Sequence, residues 1–422
     1  MKNESYKKRV ADTKLEALLR VFGGVLVVGP KWCGKSWTAS NQANSEVFID
    51  VDENKRRALL IPDAVLDGPS PRLIDEWQDA PNLWDAARRK IDKEHRPGMY
   101  IFTGSSAPDI PDELRPSHSG TGRFAQMRMR PLSLYEEGIS NGNVSLSALF
   151  DQKPFNPCVS EMDFSKALYH ICKGGWPASF WVQEENTSMI AFEYLNMVVN
   201  EDLRKIDGVK RDSALVRLFM RSLARNSATP VKATSLKADV AQREGTDISE
   251  QTVRDYYETL KKIFVIDEQE AWTPSLRSRN RIRSTPKRHF TDPSLAAAAL
   301  GATPEILAGD IKTAGFLFET LCFRDLSVYT NALDGKVYHY RDKDELEADA
   351  ILQLPDGKWG AIEIKLGTFE FDYAASNLLR LSKKLSGETI PPSFLAIVTA
   401  SGGMAWQRED GVFVIPIDCL AP

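Results

Sequence analysis

Cysteine and histidine are scarce, with five of each in 422 residues. The cysteines, Cys33, Cys158, Cys172, Cys322 and Cys419, are odd in number, widely scattered and without a C-x-x-C pair. That spacing supports neither a disulfide framework nor a zinc ribbon and predicts reduced thiols. The histidines are equally dispersed, with no two at metal-ligand spacing. Also missing is any run approaching the roughly 18 to 20 apolar residues of a membrane span. The N-terminal stretch MKNESYKKRVADTKLEALL lacks the apolar centre of a secretion signal. A cytoplasmic chain with no membrane partner is expected. Neither charge sign dominates: 54 Lys and Arg face 58 Asp and Glu, for a net charge of −4. With 42% hydrophobic residues the chain can bury large cores, and it is too long for one, so two or three domains are expected.

What is present begins at Val25, where the apolar run VLVV leads into GPKWCGKS. This is a G-x-x-x-x-G-K-S phosphate loop between a strand over 21–28 and a helix over 36–42, and it predicts binding of a nucleoside triphosphate. Glycines let backbone N–H groups curl around phosphates, Lys35 neutralises the β and γ phosphates, and the Ser36 hydroxyl ligates magnesium at a helix N-terminus. The residues expected around the nucleotide are Gly29, Pro30, Lys31, Trp32, Cys33, Gly34, Lys35, Ser36 and Trp37.

A second signal follows at Leu73-Ile74-Asp75-Glu76, a short apolar strand ending in two carboxylates. Asp75 is the expected member of the Mg2+ shell, and Glu76 the base that polarises the attacking water. A solvated helix cap is the other reading of this stretch. A third strand over 99–103 ends in Gly104-Ser105-Ser106, with Thr103 and Ser105 as candidate polar sensors of the γ phosphate, or as parts of a plain turn.

The succession GPKWCGKS, LIDEWQDAPNLWDAARR, YIFTGSSAP and GTGRFAQMRMRPLSLYE resembles prokaryotic AAA-type ATPases that carry a C-terminal domain of unknown function related to restriction endonucleases. The resemblance covers nearly the whole chain and implies adenine as the base. It also implies that one of Arg123, Arg128 and Arg130 serves as arginine finger or sensor, with Arg123, after Gly120-Thr-Gly122, the preferred choice; a solvated strand face is the other reading of these arginines. Trp32 and Cys33 depart from the small polar residues usual in such loops, which bears on affinity. A finger offered to a neighbour would require a homo-oligomer.

The fold class expected is α/β multidomain: a P-loop AAA-type parallel sheet over 1–142, a helical linker with a winged-helix-like module over 143–300, and a restriction-endonuclease-like α/β domain over 301–422. Met1 to Leu19 is expected as an entry helix, and the aromatic residues around Gly174-Gly-Trp-Pro177 as core packing. In the middle, a helix over 235–243, a turn through Gly245-Thr-Asp247 and a helix over 249–262 resemble a winged helix, with Arg254 on the recognition helix and a wing made by 263–266 and the surroundings of Trp272. The alternative is a structural lid. Residues 204–288 hold 19 Lys and Arg against 11 Asp and Glu, and the excess peaks in Arg277-Ser-Arg-Asn-Arg-Ile-Arg283, followed by Lys287 and Arg288. Such a basic stripe is the footprint expected for a phosphate backbone, so DNA is the expected partner; a solvated loop is the bland reading.

Over the last hundred residues the pattern reads α-β-β-β-α-β, similar to restriction-endonuclease-like cores. Pro355-Asp-Gly357 makes a hairpin turn, and Glu363-Ile-Lys365 puts two polar side chains on one strand face. Asp349 on the partner strand, Glu363 and Lys365 form the PD-(D/E)XK arrangement, with Glu319 as a fourth member and Ala348 where a proline is usual. The resemblance implies Mg2+ held by Asp349, Glu363 and Glu319, with Lys365 orienting the attacking water. Three readings follow: an ATP-powered enzyme that binds and cuts DNA, a nucleotide-dependent switch whose nuclease-like domain only binds DNA or a protein, and a DNA-binding regulator with a vestigial ATP site.

Overall fold

The computed structural model describes residues 6–104, 119–203, 211–241, 248–274 and 285–422. The chain divides into two compact units, one formed chiefly by Met1–Pro131 and the other by most of Leu132–Pro422. The first unit thus ends before Gly142. The stretches expected as two further domains, 143–300 and 301–422, share one unit.

In the first unit, helix α1 (Ala11–Leu19) precedes strand β1 (Gly24–Val28), helix α2 (Lys35–Gln42) and strand β2 (Ser45–Phe48). Helices α3 (Asp52–Leu60) and α4 (Pro62–Leu66) lead to β3 (Arg72–Asp75), then α5 (Asn82–Glu94), β4 (Tyr100–Gly104) and β5 (Phe124–Arg128). The strands form one parallel sheet ordered β2-β3-β4-β1-β5. Its central strands β1 (GVLVV) and β4 (YIFTG) are near-continuous apolar runs, as expected of a parallel sheet covered on both faces. Alternation along β1 divides them: Val25 and Val27 join Leu15, Leu19 and Ala39 in one core, whereas Leu26 packs with Ile74, Trp84 and Phe102 in the other. The second core is rich in aromatics, with Trp84 stacked on Phe124 at 4.1 Å between ring centroids.

The second unit combines helices with a seven-stranded sheet. Strands β6 (Val144–Ser145) and β7 (Cys158–Val159) are two-residue pieces. β8 (Ile266–Gln269) pairs antiparallel with β9 (Lys287–Phe290). After a 22-residue helix, Ile311–Ala332, come β10 (Lys336–Arg341), β11 (Glu347–Gln353) and β12 (Trp359–Lys365). Helix Phe371–Leu385 follows, then β13 (Phe394–Thr399), β14 (Met404–Gln407) and β15 (Phe413–Pro416). The sheet order is β10-β11-β12-β13-β15-β14-β7. The expected α-β-β-β-α-β element order is present. β10, β11 and β12 run antiparallel, and β13 and β15 continue from β12 in parallel.

Arg324 on the long helix organises the interior of this unit. It is 1% exposed, and its guanidinium donates to Asp292 Oδ2 and Asp325 Oδ1, both at 2.8 Å. The same carboxylates accept the backbone N–H of Gly175 (3.0 Å) and of Leu134 (2.9 Å), so four distant segments meet at one charge cluster. Gly175 has no alternative there, since a Cβ would lie 2.0 Å from Leu132 O. Trp176, in the aromatic stretch expected as packing, is fully buried and donates to Ser294 Oγ at 2.9 Å.

The wing expected from Trp272 is corrected. Its segment leaves β8: the Trp272 amide bonds to His339 O at 2.7 Å and its ring lies 4.9 Å from that of Trp359. The apolar core of the C-terminal sheet offers the indole more burial than a wing would. The two helices are found as Ala233–Ala241 and Glu250–Lys262. Arg243, the 245–247 turn, Arg204 and the basic run 277–283 lie outside the described residues.

Candidate active site

The phosphate loop leaves β1 at Val28, on the edge of the sheet formed by the carboxyl ends of the parallel strands, where ligands of such sheets bind. Gly29 is at φ 153°, and a Cβ there would stand 2.4 Å from Met129 O, so the loop can turn only on a glycine. The Lys35 ammonium is buried and donates to Gly29 O (3.0 Å) and Pro30 O (2.8 Å). It therefore lies back along its own loop, and a phosphate would exchange with those two carbonyls. Cys33 is buried in the core with Leu15 and Val27, which accounts for a residue other than a small polar one there, whereas Trp32 is 59% exposed and has no structural explanation. Ser36 borders a pocket of about 280 Å³ whose lining includes Tyr6, Trp37 and Phe48.

The structure adds a component that the sequence reading missed. Arg9, 5% exposed, donates to Cys33 O (2.7 Å) and Arg130 O (2.9 Å) and thus ties the loop to the end of β5. Asp12 accepts from the Arg9 N–H and the Tyr6 hydroxyl, both at 2.8 Å, and the Tyr6 oxygen lies 3.1 Å from Thr38 Oγ1, from which it accepts. Nothing in the motif requires this strap; an Arg-x-x-Asp before an apolar helix was the only signal.

β3 delivers Asp75 to the same edge, and β4, next to it, delivers Thr103, whose hydroxyl donates to Asp75 Oδ1. Thr103 is fully buried and acts on the carboxylate expected to hold metal. Glu76 follows in the left-handed region at φ 53°, a rare conformation for a non-glycine residue that aims the side chain off the strand axis. Its backbone N–H reaches Thr103 Oγ1 at 3.4 Å, and its carboxylate accepts from Gln78. Burial pushes the Glu76 carboxyl above its ordinary range, against the Gln78 hydrogen bond and the Lys35 charge. A raised carboxyl beside a lysine suits a general base. The donor set of Ser36 and Asp75, both hard oxygens, fits Mg2+.

The arginines divide by strand direction. Arg123 precedes β5, on the edge where Phe124 faces Gly24, and pairs with Asp92 at 2.7 Å. The loop leaves the other end of β1, about 16 Å away along a five-residue strand. Arg123 is thus too far from the loop to reach phosphates bound in its own chain. Arg128 faces Val28 in the register, so Arg128 and Arg130 stand on the nucleotide edge. Ser105 lies outside the described residues.

In the second unit, Asp349 and Glu363 stand one residue beyond the Ala350–Ile362 pair of β11 and β12, hence on one face. Lys365 donates to Glu363 Oε2 (2.8 Å) and lies 3.8 Å from Asp349 Oδ2, which also accepts the Ile364 N–H at 2.8 Å. The expected quartet is therefore gathered, with Glu319 from the long helix. A fifth member, unforeseen in the sequence, is Lys287 of β9: its ammonium is 2.5 Å from Glu319 Oε1 and 3.3 Å from Asp349 Oδ1. Burial pushes Glu319 and Glu363 up to about 7 each, against the pull of the lysines. Burial acts in the same direction on Asp349, yet Lys287, Lys365 and the Ile364 amide hold it below its ordinary value. Among the described residues no three His, Cys, Asp or Glu side chains are set to hold a metal ion. The carboxylates expected as Mg2+ ligands are instead bound by lysine, so the group does not fit a metal as it stands.

On helix Glu250–Lys262, Arg254 pairs with Glu250, and Lys261 with Glu268 at 2.9 Å. Arg288 lies over the Tyr257 ring at 4.5 Å. Val253, Tyr256, Tyr257 and Leu260 turn inward.

Comparison with known proteins agrees with this geometry for the first unit. Residues 22–137 match an AAA domain, residues 165–306 a domain of unknown function (DUF8612), and residues 314–420 another (DUF4143). The chain is 23% identical over 417 residues to uncharacterized proteins of Mycobacterium bovis and Mycobacterium tuberculosis, covering 98% of this chain and 84% of each relative. Among solved structures it is similar to a Walker-type ATPase of Pyrococcus abyssi, at 13% identity and a TM-score of 0.45, covering 71% of this chain and 97% of that one. It is also similar to the RuvB Holliday junction branch migration motor of Thermotoga maritima, at 15% identity and a TM-score of 0.24, covering 61% and 88%. No described helix is long and apolar enough to cross a membrane. The N-terminal unit is a P-loop ATPase domain of the AAA type.

Proposed function

We propose that this protein binds and hydrolyses Mg-ATP in its first unit and uses the nucleotide cycle to control DNA binding by its second, in the cytoplasm. The convergence of Lys35, Asp75, Thr103 and Glu76 on one sheet edge carries the reading. Lys35 would hold the β and γ phosphates, and Ser36 with Asp75 the magnesium, which offsets charge on the transferring phosphoryl group. Thr103 fixes Asp75, and Glu76 takes the proton of the attacking water. Arg128 or Arg130 is the sensor reached within the chain; Arg123, if it acts, acts across an oligomer.

DNA as the partner is supported by the basic excess over 204–288 and by the α-β-β-β-α-β order, which resembles nuclease-like cores. Against cleavage by Asp349, Glu363 and Lys365 speaks Lys287, whose ammonium pairs with Asp349 and Glu319. The test is a plasmid and oligonucleotide assay with Mg2+ or Mn2+, with and without ATP, run beside ATP hydrolysis. We expect ATP turnover and DNA retention without strand breaks. Metal-dependent cutting that disappears in Lys365→Ala would establish a nuclease and overturn the binding-only reading; failure to retain any DNA would point to a protein partner.

A further inference from the structure

We infer that the Lys287 ammonium is the resident cation of the Glu319–Asp349–Glu363 cluster, occupying the place of a divalent metal and closing the cluster to one. Lys287 is fixed by the backbone of β9, whose register with β8 puts it opposite Gln269. Gln269 in turn donates to Asp349 O at 2.8 Å, and its side-chain oxygen lies 3.0 Å from His289 Nε2, so the strand bearing the lysine and the strand bearing the aspartate are held together. The ammonium is within hydrogen-bonding reach of one oxygen from each of two carboxylates, which is where a shared metal would stand.

Charge explains why lysine and metal exclude one another. Three carboxylates and two ammoniums, all ionised, leave one net negative charge in a buried site. A divalent ion added to that set makes it net positive, whereas removing Lys287 leaves two negative charges that a divalent ion neutralises. Buried charge must be compensated: Lys287 leaves one negative charge, a divalent ion in its place leaves none, and the two together overshoot to one positive. A second observation points to a ligand: Glu363 is 3% exposed, and its Oε1 has no hydrogen-bond partner. Lys287 bonds two of the carboxylates, while Glu363 accepts from Lys365 through Oε2 at 2.8 Å and keeps Oε1 without a partner.

The inference is independent of ATP turnover. Its test is Mn2+ binding to the full chain without nucleotide, followed by electron paramagnetic resonance and by the shift of the thermal transition. Wild type and Glu363→Gln should behave alike, with no Mn2+ held at the cluster. Lys287→Ala should gain one Mn2+, tightening binding roughly 100-fold, a change of the size seen when groups supporting a metal site are altered, and Lys287→Ala/Glu363→Gln should lose it. If Lys287→Ala folds only when Mn2+ is supplied, that dependence is the same result in another form. A wild-type chain that binds one Mn2+ through Glu363 overturns the inference, as does a folded Lys287→Ala that binds none. Should Lys287→Ala fold under neither condition, Lys287→Gln is read by the same two criteria. Mn2+ bound by wild type and lost in Glu363→Gln, without strand cleavage, would sink this inference and leave the proposed function standing.

Discussion

Replacement of Glu76 by glutamine should leave ATP bound and slow its hydrolysis by roughly 100- to 10,000-fold, the span contributed by a positioned general base. The substitution keeps the size of the side chain and its bond to Gln78 while removing the proton acceptor. The Glu76 carboxyl is raised by burial, so hydrolysis in the wild type should climb as pH rises through that raised value and the base ionises. Single-turnover hydrolysis and nucleotide trapping separate the steps: full trapping with lost turnover is the expected pair of results. Turnover within a factor of two of wild type would remove Glu76 from the chemistry.

The largest effect on stability is expected from Arg324→Ala. Arg324, Asp292 and Asp325 are 1%, 0% and 0% exposed. Truncation strands two carboxylates in a dry interior, and breaking a buried pair from one side costs about 3–5 kcal/mol. Arg324→Lys should recover little, because one ammonium cannot reproduce separate Nε and Nη1 bonds to two carboxylates. Urea unfolding followed by tryptophan fluorescence, with the fully buried Trp176 and Trp359 of the second unit among the reporters, measures the loss. A midpoint that does not move would mean that the four segments meeting at Arg324 are held together by something else.

The parts legible in the sequence are those where one residue type has one backbone use. GPKWCGKS needs Gly29 to pass Met129 O, and the Asp-Gly turn at 356–357 closes β11 onto β12 with Gly357 at φ 88°. The strand carrying Asp75 was harder, with Leu73 and Ile74 its only apolar residues; it forms because both are fully buried, on opposite faces of the sheet. What stayed hidden depends on pairing across distance. Lys287 looked like the tail of a basic stripe, and only the β8–β9 register takes it inward. That Arg123 stands on the edge away from its own chain's phosphate loop follows only from the direction of β5. Trp272 looked like a wing because its burial partners, Trp359 and Tyr340, come much later in the chain.

The central claim is that Lys35 and its loop hold the phosphates of ATP. Equilibrium binding of ATP in the presence of Mg2+ to the wild-type chain and to Lys35→Ala tests it most directly. The account predicts clear binding by the wild type and a loss of about 100-fold or more in the variant, as a charge-assisted contact to two phosphates disappears from a buried site. Equal affinity of the two chains would contradict it.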